Sequence, residues 1–230
     1  MTIQHLLYIP TIFLLGFVFG TMVNKSATSQ NGQLKYKTSK KQLLQAFLIF
    51  LLVFVVTHIF EIPWGSKVVS QQLGGVEIFD KSPVFSSTEV YERISLFPAE
   101  GLKAYKRFTY TIDILFPLSF FVFLLTFTRF VSQRITIRKY LVNVLISLPF
   151  FWFAFDLLEN AIIFTILAKF PGQLEFPVSS LGFITVIKFS LLLLSILTPS
   201  LLFIIANKRK AETYLPQSKN DHKQVLQNTI

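Results

Sequence analysis

The chain alternates between long apolar runs and shorter polar connections. Five runs, at residues 3–23, 43–63, 109–130, 141–168 and 178–206, are long enough to matter for topology. Each holds about 20 residues or more, which is what a helix needs to cross roughly 30 Å of hydrocarbon. A chain in lipid must satisfy its backbone polar groups within the segment, so runs of this kind form helices. The pattern predicts an all-α integral membrane helix bundle of five transmembrane helices. The first run occupies the place of a signal peptide. It lacks a basic leading region and a small-x-small cleavage site, and a Lys-rich stretch follows it, so it reads as a retained helix. Gly16 and Gly20 within it have the GxxxG spacing that lets helices approach closely.

The longest connection, residues 64–108, has a pattern of its own. Ser86 and Glu89 have capping-box spacing, and Val90, Ile94 and Phe97 then recur on one helical face. Pro98 suits the first turn of a second short helix that carries Leu102 and Tyr105. Two amphipathic helices are predicted here, lying on the membrane surface or capping the bundle. The chain thus divides into an N-terminal span with its Lys-rich loop (1–41), a four-helix membrane core (42–210) and a polar, flexible tail (211–230).

Composition supports the membrane class: 52% of the 230 residues are hydrophobic and 27 are Phe, with a mean hydropathy of +0.57. The net charge of +10 would suit nucleic acid, but its distribution argues otherwise. Lys25, Lys35, Lys37, Lys40 and Lys41 follow the first run, Arg134, Arg138 and Lys139 the third, and Lys208, Arg209 and Lys210 the fifth. Basic residues gathered at alternate ends of spans set orientation. They predict an outside N-terminus and a cytoplasmic C-terminus, with no nucleic-acid partner; the membrane is read as the cell membrane. The 64–108 loop mixes its six basic residues with Glu77, Asp80, Glu89, Glu92 and Glu100, and residues 170–177 contain no Lys or Arg. Cysteine is absent, which excludes disulfides, thiolate nucleophiles and Cys-ligated metals.

Candidate chemistry sits inside the apolar runs. In FAFDLLENAIIF, residues 153–164, Asp156, Glu159 and Asn160 share one helical face, with Pro149 and Trp152 on roughly the same stripe. A charge at the bilayer centre costs about 2.5–3.5 kcal/mol or more, so this patch faces protein or water. Lys188 lies about 10 residues, or roughly 15 Å, from the outer end of the last run, and Glu159 lies at nearly the same depth. The short 170–177 connection makes the two helices antiparallel neighbours, which predicts a pairing of Lys188 with Glu159 or Asp156. Asp113, with Tyr110 and Pro117 on its face, and His58 and Glu61 fall in the same half. Asp113, Asp156 and Glu159 are the acid–base candidates. Asn160, Lys188, His58, Glu61, Tyr110 and Trp152 are the binding candidates. The plain alternative is a polar clamp between two helices.

Several chemistries are excluded. The only histidines are His5, His58 and His222, too scattered for a multi-histidine zinc site, and no metal site is assigned. No Walker, GxGxxG or GxSG-type motif is present, and one acidic cluster is too few for a prenyltransferase. The cofactor is left open, since a carboxylate pair also suits a divalent cation. Three functions remain: binding or acting on a lipid or isoprenoid-like molecule, serving as a non-catalytic assembly or accessory subunit, and ion- or proton-coupled transport, which a homo-oligomer would make feasible.

The stretch VYERISLFPAEGLKAYKRFTYTIDILFPLSF (90–120), together with FDLLENAIIF and Lys188, resembles a family of small, mostly uncharacterised microbial multi-pass membrane proteins. That family shows a G-x-x-x-Y turn, D-x-x-F-P opening one span and D-x-x-E-N inside the next. The matching positions are Tyr91, Gly101, Tyr105, Asp113, Phe116, Pro117, Asp156, Glu159, Asn160 and Lys188, within a likeness covering residues 42–205. Leu102 stands where the family often has Arg, and Phe120 where it often has Tyr. The resemblance implies a four-helix core with a loop cap and implies no activity.

Overall fold

A computed structural model describes residues 38–63, 65–135 and 137–227, with side chains to residue 208. The expected first span, 3–23, lies outside the described residues. Among the described residues every regular element is helical. The first, α1 (Lys40–Phe54), continues into a π-helical turn at Val55–Ile59. Three short helices follow: α2 (Ser66–Gln72), α3 (Ser87–Ser95) and α4 (Ala99–Thr109). Three long ones complete the chain: α5 (Ile112–Ser132), α6 (Lys139–Lys169) and α7 (Glu175–Gln227). Four stretches are long and apolar enough to cross a membrane: Lys40–Ile59, Ala99–Ser132, Lys139–Lys169 and Glu175–Lys208. Many of their exposed side chains, among them Leu44, Leu52, Phe183 and Leu201, are large and apolar, which suits a lipid-facing surface.

Local chemistry sets the helix ends. Ser39 and Gln42 form a reciprocal capping box: Gln42 N–H donates to Ser39 Oγ at 3.1 Å, and Ser39 N–H donates to Gln42 Oε1 at 2.9 Å. Pro117 and Pro149 lie inside α5 and α6, where each removes one ladder donor. Pro177 falls in the first turn of α7, where no ladder donor is lost. Past its apolar stretch, α7 continues as helix through the segment read as a polar tail, to Gln227.

The two expected loop helices are present as α3 and α4, and α2 is an addition to them. Ser86 does stand at the N-cap of α3, yet its side chain makes no capping bond. Glu89 turns instead to Arg93 at 3.4 Å, and Arg93 also donates to the Ser82 carbonyl at 3.0 Å. Pro98 is the residue before α4 rather than its first turn. The loop does not lie apart as a surface layer. Val69, Leu73, Phe79, Val90, Ile94, Tyr105 and Phe108 form one buried cluster with Ile163, Ile166 and Leu167 of α6 and Leu181 of α7. Each such fully buried side chain contributes about 1.5–3 kcal/mol relative to exposure in water. A second cluster, farther from the loop, joins Phe121, Leu124 and Leu125 of α5 to Trp152, Phe153 and Leu157 of α6.

Two glycines let the loop come close. A Cβ on Gly101 would sit 2.3 Å from the Gln72 carbonyl oxygen, and one on Gly182 would sit 2.5 Å from that of Val84. Those contacts seat α4 against α2 and press the 80–86 segment onto α7.

Candidate functional site

Between the two apolar clusters lies a polar layer. On α6 the upper cluster begins at Ile163 and the lower one ends at Leu157, which leaves Glu159 and Asn160 between them, with Asp156 one turn below Asn160. On α7 the gap between Leu181 and the lower cluster's Leu191 holds Thr185 and Lys188. Asp113 enters from the first turn of α5. All six are buried, Glu159 completely.

Lys188 is the hub. Its Nζ donates to Glu159 Oε2, approaches Asp156 Oδ1 at 3.4 Å and stands 4.0 Å from Asp80 Oδ2. It also lies 5.1 Å from the centre of the Phe189 ring. Thr185 Oγ1 donates to the other oxygen of Glu159, so both oxygens of that carboxylate are engaged from α7. Asn160 Nδ2 reaches the backbone carbonyl of Asp113 at 3.5 Å, linking α6 to α5. Four acceptors remain: Asp80 Oδ1, Asp113 Oδ2, Asp156 Oδ2 and Asn160 Oδ1 are buried and receive no hydrogen bond from the described residues. An unmatched buried acceptor costs about 1–3 kcal/mol, more when charged. Native chains keep few of them.

The expected pairing of Lys188 is present with both candidate acids rather than one. Asp113, Asp156, Glu159, Asn160 and Lys188 come together as the spacing predicted. Four other candidates stand apart. Glu61 is exposed and bonds Lys67 at 2.8 Å. The lysine's hydrogen bond holds its carboxyl below the usual carboxylate range. His58 lies against Phe54 and Phe116, with ring centres 5.0 and 4.7 Å away, and lines a cavity over α2. Tyr110 packs edge-on to Phe164 in a basic surface cleft with Lys103, Lys106 and Arg107. Trp152 is buried edge-on against Phe120, in the lower apolar cluster. Trp152 shares the stripe of Asp156 on α6 but lies one turn away, inside the lower cluster; for the other three the cause is a helix end. The chain after the π turn breaks away at Phe60, and Tyr110 sits at the break between α4 and α5, so these side chains leave the central face.

Two site residues were not singled out from sequence. Thr185 lies three residues before Lys188 on the same helical face, a spacing that signals it. Asp80 is one loop acid among several, and no local pattern marks it. Its position depends on Tyr105, whose hydroxyl accepts from the Phe79 amide at 3.0 Å inside the upper cluster. The loop is tied down again where Leu174 N–H donates to the Tyr91 hydroxyl at 2.5 Å. Among the described residues, no three His, Cys, Asp or Glu side chains gather in a way that could hold a metal ion. Comparison of the chain with protein-family models, curated proteins and solved structures finds no match.

Proposed function

We propose that this is a cell-membrane protein that binds the polar head of a lipid or isoprenoid-like molecule in its buried carboxylate–lysine layer. In this reading five spans place the N-terminus outside and the C-terminus in the cytoplasm, and the last four form the bundle that the motif resemblance implies. The 64–108 loop then caps the site from the outer side. One observation carries the reading: three carboxylates, Asp80, Asp156 and Glu159, lie within 4.0 Å of a single ammonium, Asp113 is buried beside them, and four buried acceptor oxygens lack a donor among the described residues. A head group bearing hydroxyl or amine hydrogens supplies what those oxygens lack. Asp156, with one oxygen at Lys188 and the other unbonded, is the acid or base. Asn160 orients the ligand and Lys188 holds the carboxylates in place.

A second reading has its own support. Glu159 is bonded twice by α7, which is what a helix clamp requires. The two readings divide the residues: Glu159, Thr185 and Lys188 join the helices, while Asp80, Asp113, Asp156 and Asn160 face the ligand. The test is mass spectrometry of lipids co-purified with wild type and with Asp156→Asn and Asn160→Ala. Wild type should carry one amphiphile enriched over the bulk membrane, and folded variants should lose it. Equal lipid profiles in all three would leave only the accessory-subunit reading.

A further inference from the structure

A second polar site lies beside this one. The π turn after α1 and the face of α2 border an open cavity of about 470 Å³ lined by His58, Ser66, Lys67, Ser70, Gln71 and Lys81. Helix geometry explains its lining. Val69 and Leu73, four apart, point into the upper apolar cluster, and the arc of the helix next to them carries Ser66 with Ser70 and then Lys67 with Gln71. The hydroxyls of Ser66 and Ser70 and the ammonium of Lys81 have no bonding partner among the described residues. Lys67 bonds only the exposed Glu61, a contact that solvent makes cheap to exchange. Asp80, next to Lys81 in the chain, has one carboxylate oxygen 4.0 Å from Lys188.

His58 narrows the chemistry. The Thr57 hydroxyl donates its hydrogen to the Val53 carbonyl at 2.7 Å, and Thr57 Oγ1 also lies 2.7 Å from His58 Nδ1. That hydroxyl therefore accepts from Nδ1–H, a tautomer assigned from the bonding pattern, and Nε2 of the neutral ring is an acceptor. The π turn that carries both residues is a geometry frequent at functional sites. The cavity thus offers two ammonium groups and two hydroxyls for an anion, and one nitrogen that needs a donor. An oxyanion that also carries a hydroxyl satisfies both demands.

We propose that this cavity binds a terminal phosphate group, either free phosphate or the monoester head of a lipid. The inference stands on the cavity's own lining and does not depend on the carboxylate layer. The test uses the full chain, titrated with inorganic phosphate in a neutral detergent, and then embedded in phosphatidylcholine nanodiscs containing phosphatidic acid or phosphatidylglycerol. The expected result is thermal stabilisation by phosphate, by phosphatidic acid, or by both. Phosphate alone identifies the free ion as the source, and phosphatidic acid alone identifies a lipid head. Lys81→Gln should weaken the response about tenfold, as loss of one charge-assisted hydrogen bond predicts. Ser70→Ala provides a second, uncharged probe of the same site, and Lys103→Gln, outside it, should leave the response unchanged. The proposal is overturned if neither probe stabilises the protein, if phosphatidylglycerol matches phosphatidic acid, or if Lys81→Gln and Ser70→Ala both respond as wild type.

Discussion

Replacing Lys188 by Met and Glu159 by Gln, singly and together, distinguishes a pair from a cluster. An isolated buried pair loses about 3–5 kcal/mol when one partner goes, and recovers when both are removed. Here Lys188 faces Glu159, Asp156 at 3.4 Å and Asp80 at 4.0 Å. Lys188→Met therefore strands three carboxylates, and the full cost of about 3–5 kcal/mol applies. Glu159→Gln keeps one acceptor oxygen where Lys188 and Thr185 now use two, and leaves the ammonium two other acids, so about 1–3 kcal/mol is expected. For a chain of this size each kcal/mol moves the melting temperature by about 2–4 °C. Lys188→Met should thus melt roughly 6–20 °C below wild type, and Glu159→Gln should fall about half as far. The double variant should stay near Lys188→Met, because Asp156 and Asp80 remain without a cation. Buried Trp152 gives the fluorescence readout in mild detergent. Recovery of the double variant to wild-type melting, or a larger loss for Glu159→Gln than for Lys188→Met, would refute the cluster.

Gly182→Ala places a Cβ 2.5 Å from the Val84 carbonyl and 2.7 Å from Phe85 Cδ1. The 80–86 segment must then shift, at about 1–3 kcal/mol, and tryptic cleavage after Lys81 should accelerate; an unchanged rate would count against the close approach. Tyr105→Phe orphans the buried Phe79 amide, costing about 1–3 kcal/mol. Hydrogen exchange at Phe79 should quicken, and exchange at the wild-type rate would mean that the Tyr105 bond does not hold the loop. Glu61, whose carboxyl Lys67 holds below the ordinary range, contributes stability above that range, and this is lost as pH falls through the lowered value. Both partners are about half exposed or more. Glu61→Gln should therefore melt within about 1 °C of wild type at neutral pH, and a larger drop would show that the surface pair matters structurally.

The sequence revealed the membrane helices and the central chemistry because both depend on local periodicity. Apolar runs of spanning length became helices at 40–59, 112–132, 139–169 and 175–208. Asp156, Glu159 and Asn160 share a face by spacing alone, and the short 170–177 turn set Lys188 at their level. Positions that depend on how the chain leaves a helix were harder to read. His58 and Glu61 look like members of the layer in a straight helix, but the π turn and the extended Phe60 redirect them. Ser86 has the right spacing for a cap, yet Glu89 bonds Arg93 instead. Asp80 required the whole loop fold, from the Tyr105 bond to the Gly182 contact, and nothing near it in sequence encodes either.

Asp80 also bears on what the layer is for. A clamp between α6 and α7 is complete with Glu159, Thr185 and Lys188, all supplied by the two helices it joins. A fourth carboxylate brought in on the loop adds nothing to that joint, and it increases the repulsion around one ammonium. The loop spends two buried tyrosine hydroxyls on holding its position, one on the Phe79 amide beside Asp80 and one on the Leu174 amide before α7. Apolar clusters seal the layer above and below, so its unmatched oxygens are shielded along the helix axes. The donors they lack must then enter from the side, between helices, or from above when the loop lifts. Under the proposed function an amphiphile would take the first route, with its head in the layer and its chain in lipid, a role for Asp80 that the clamp reading does not supply.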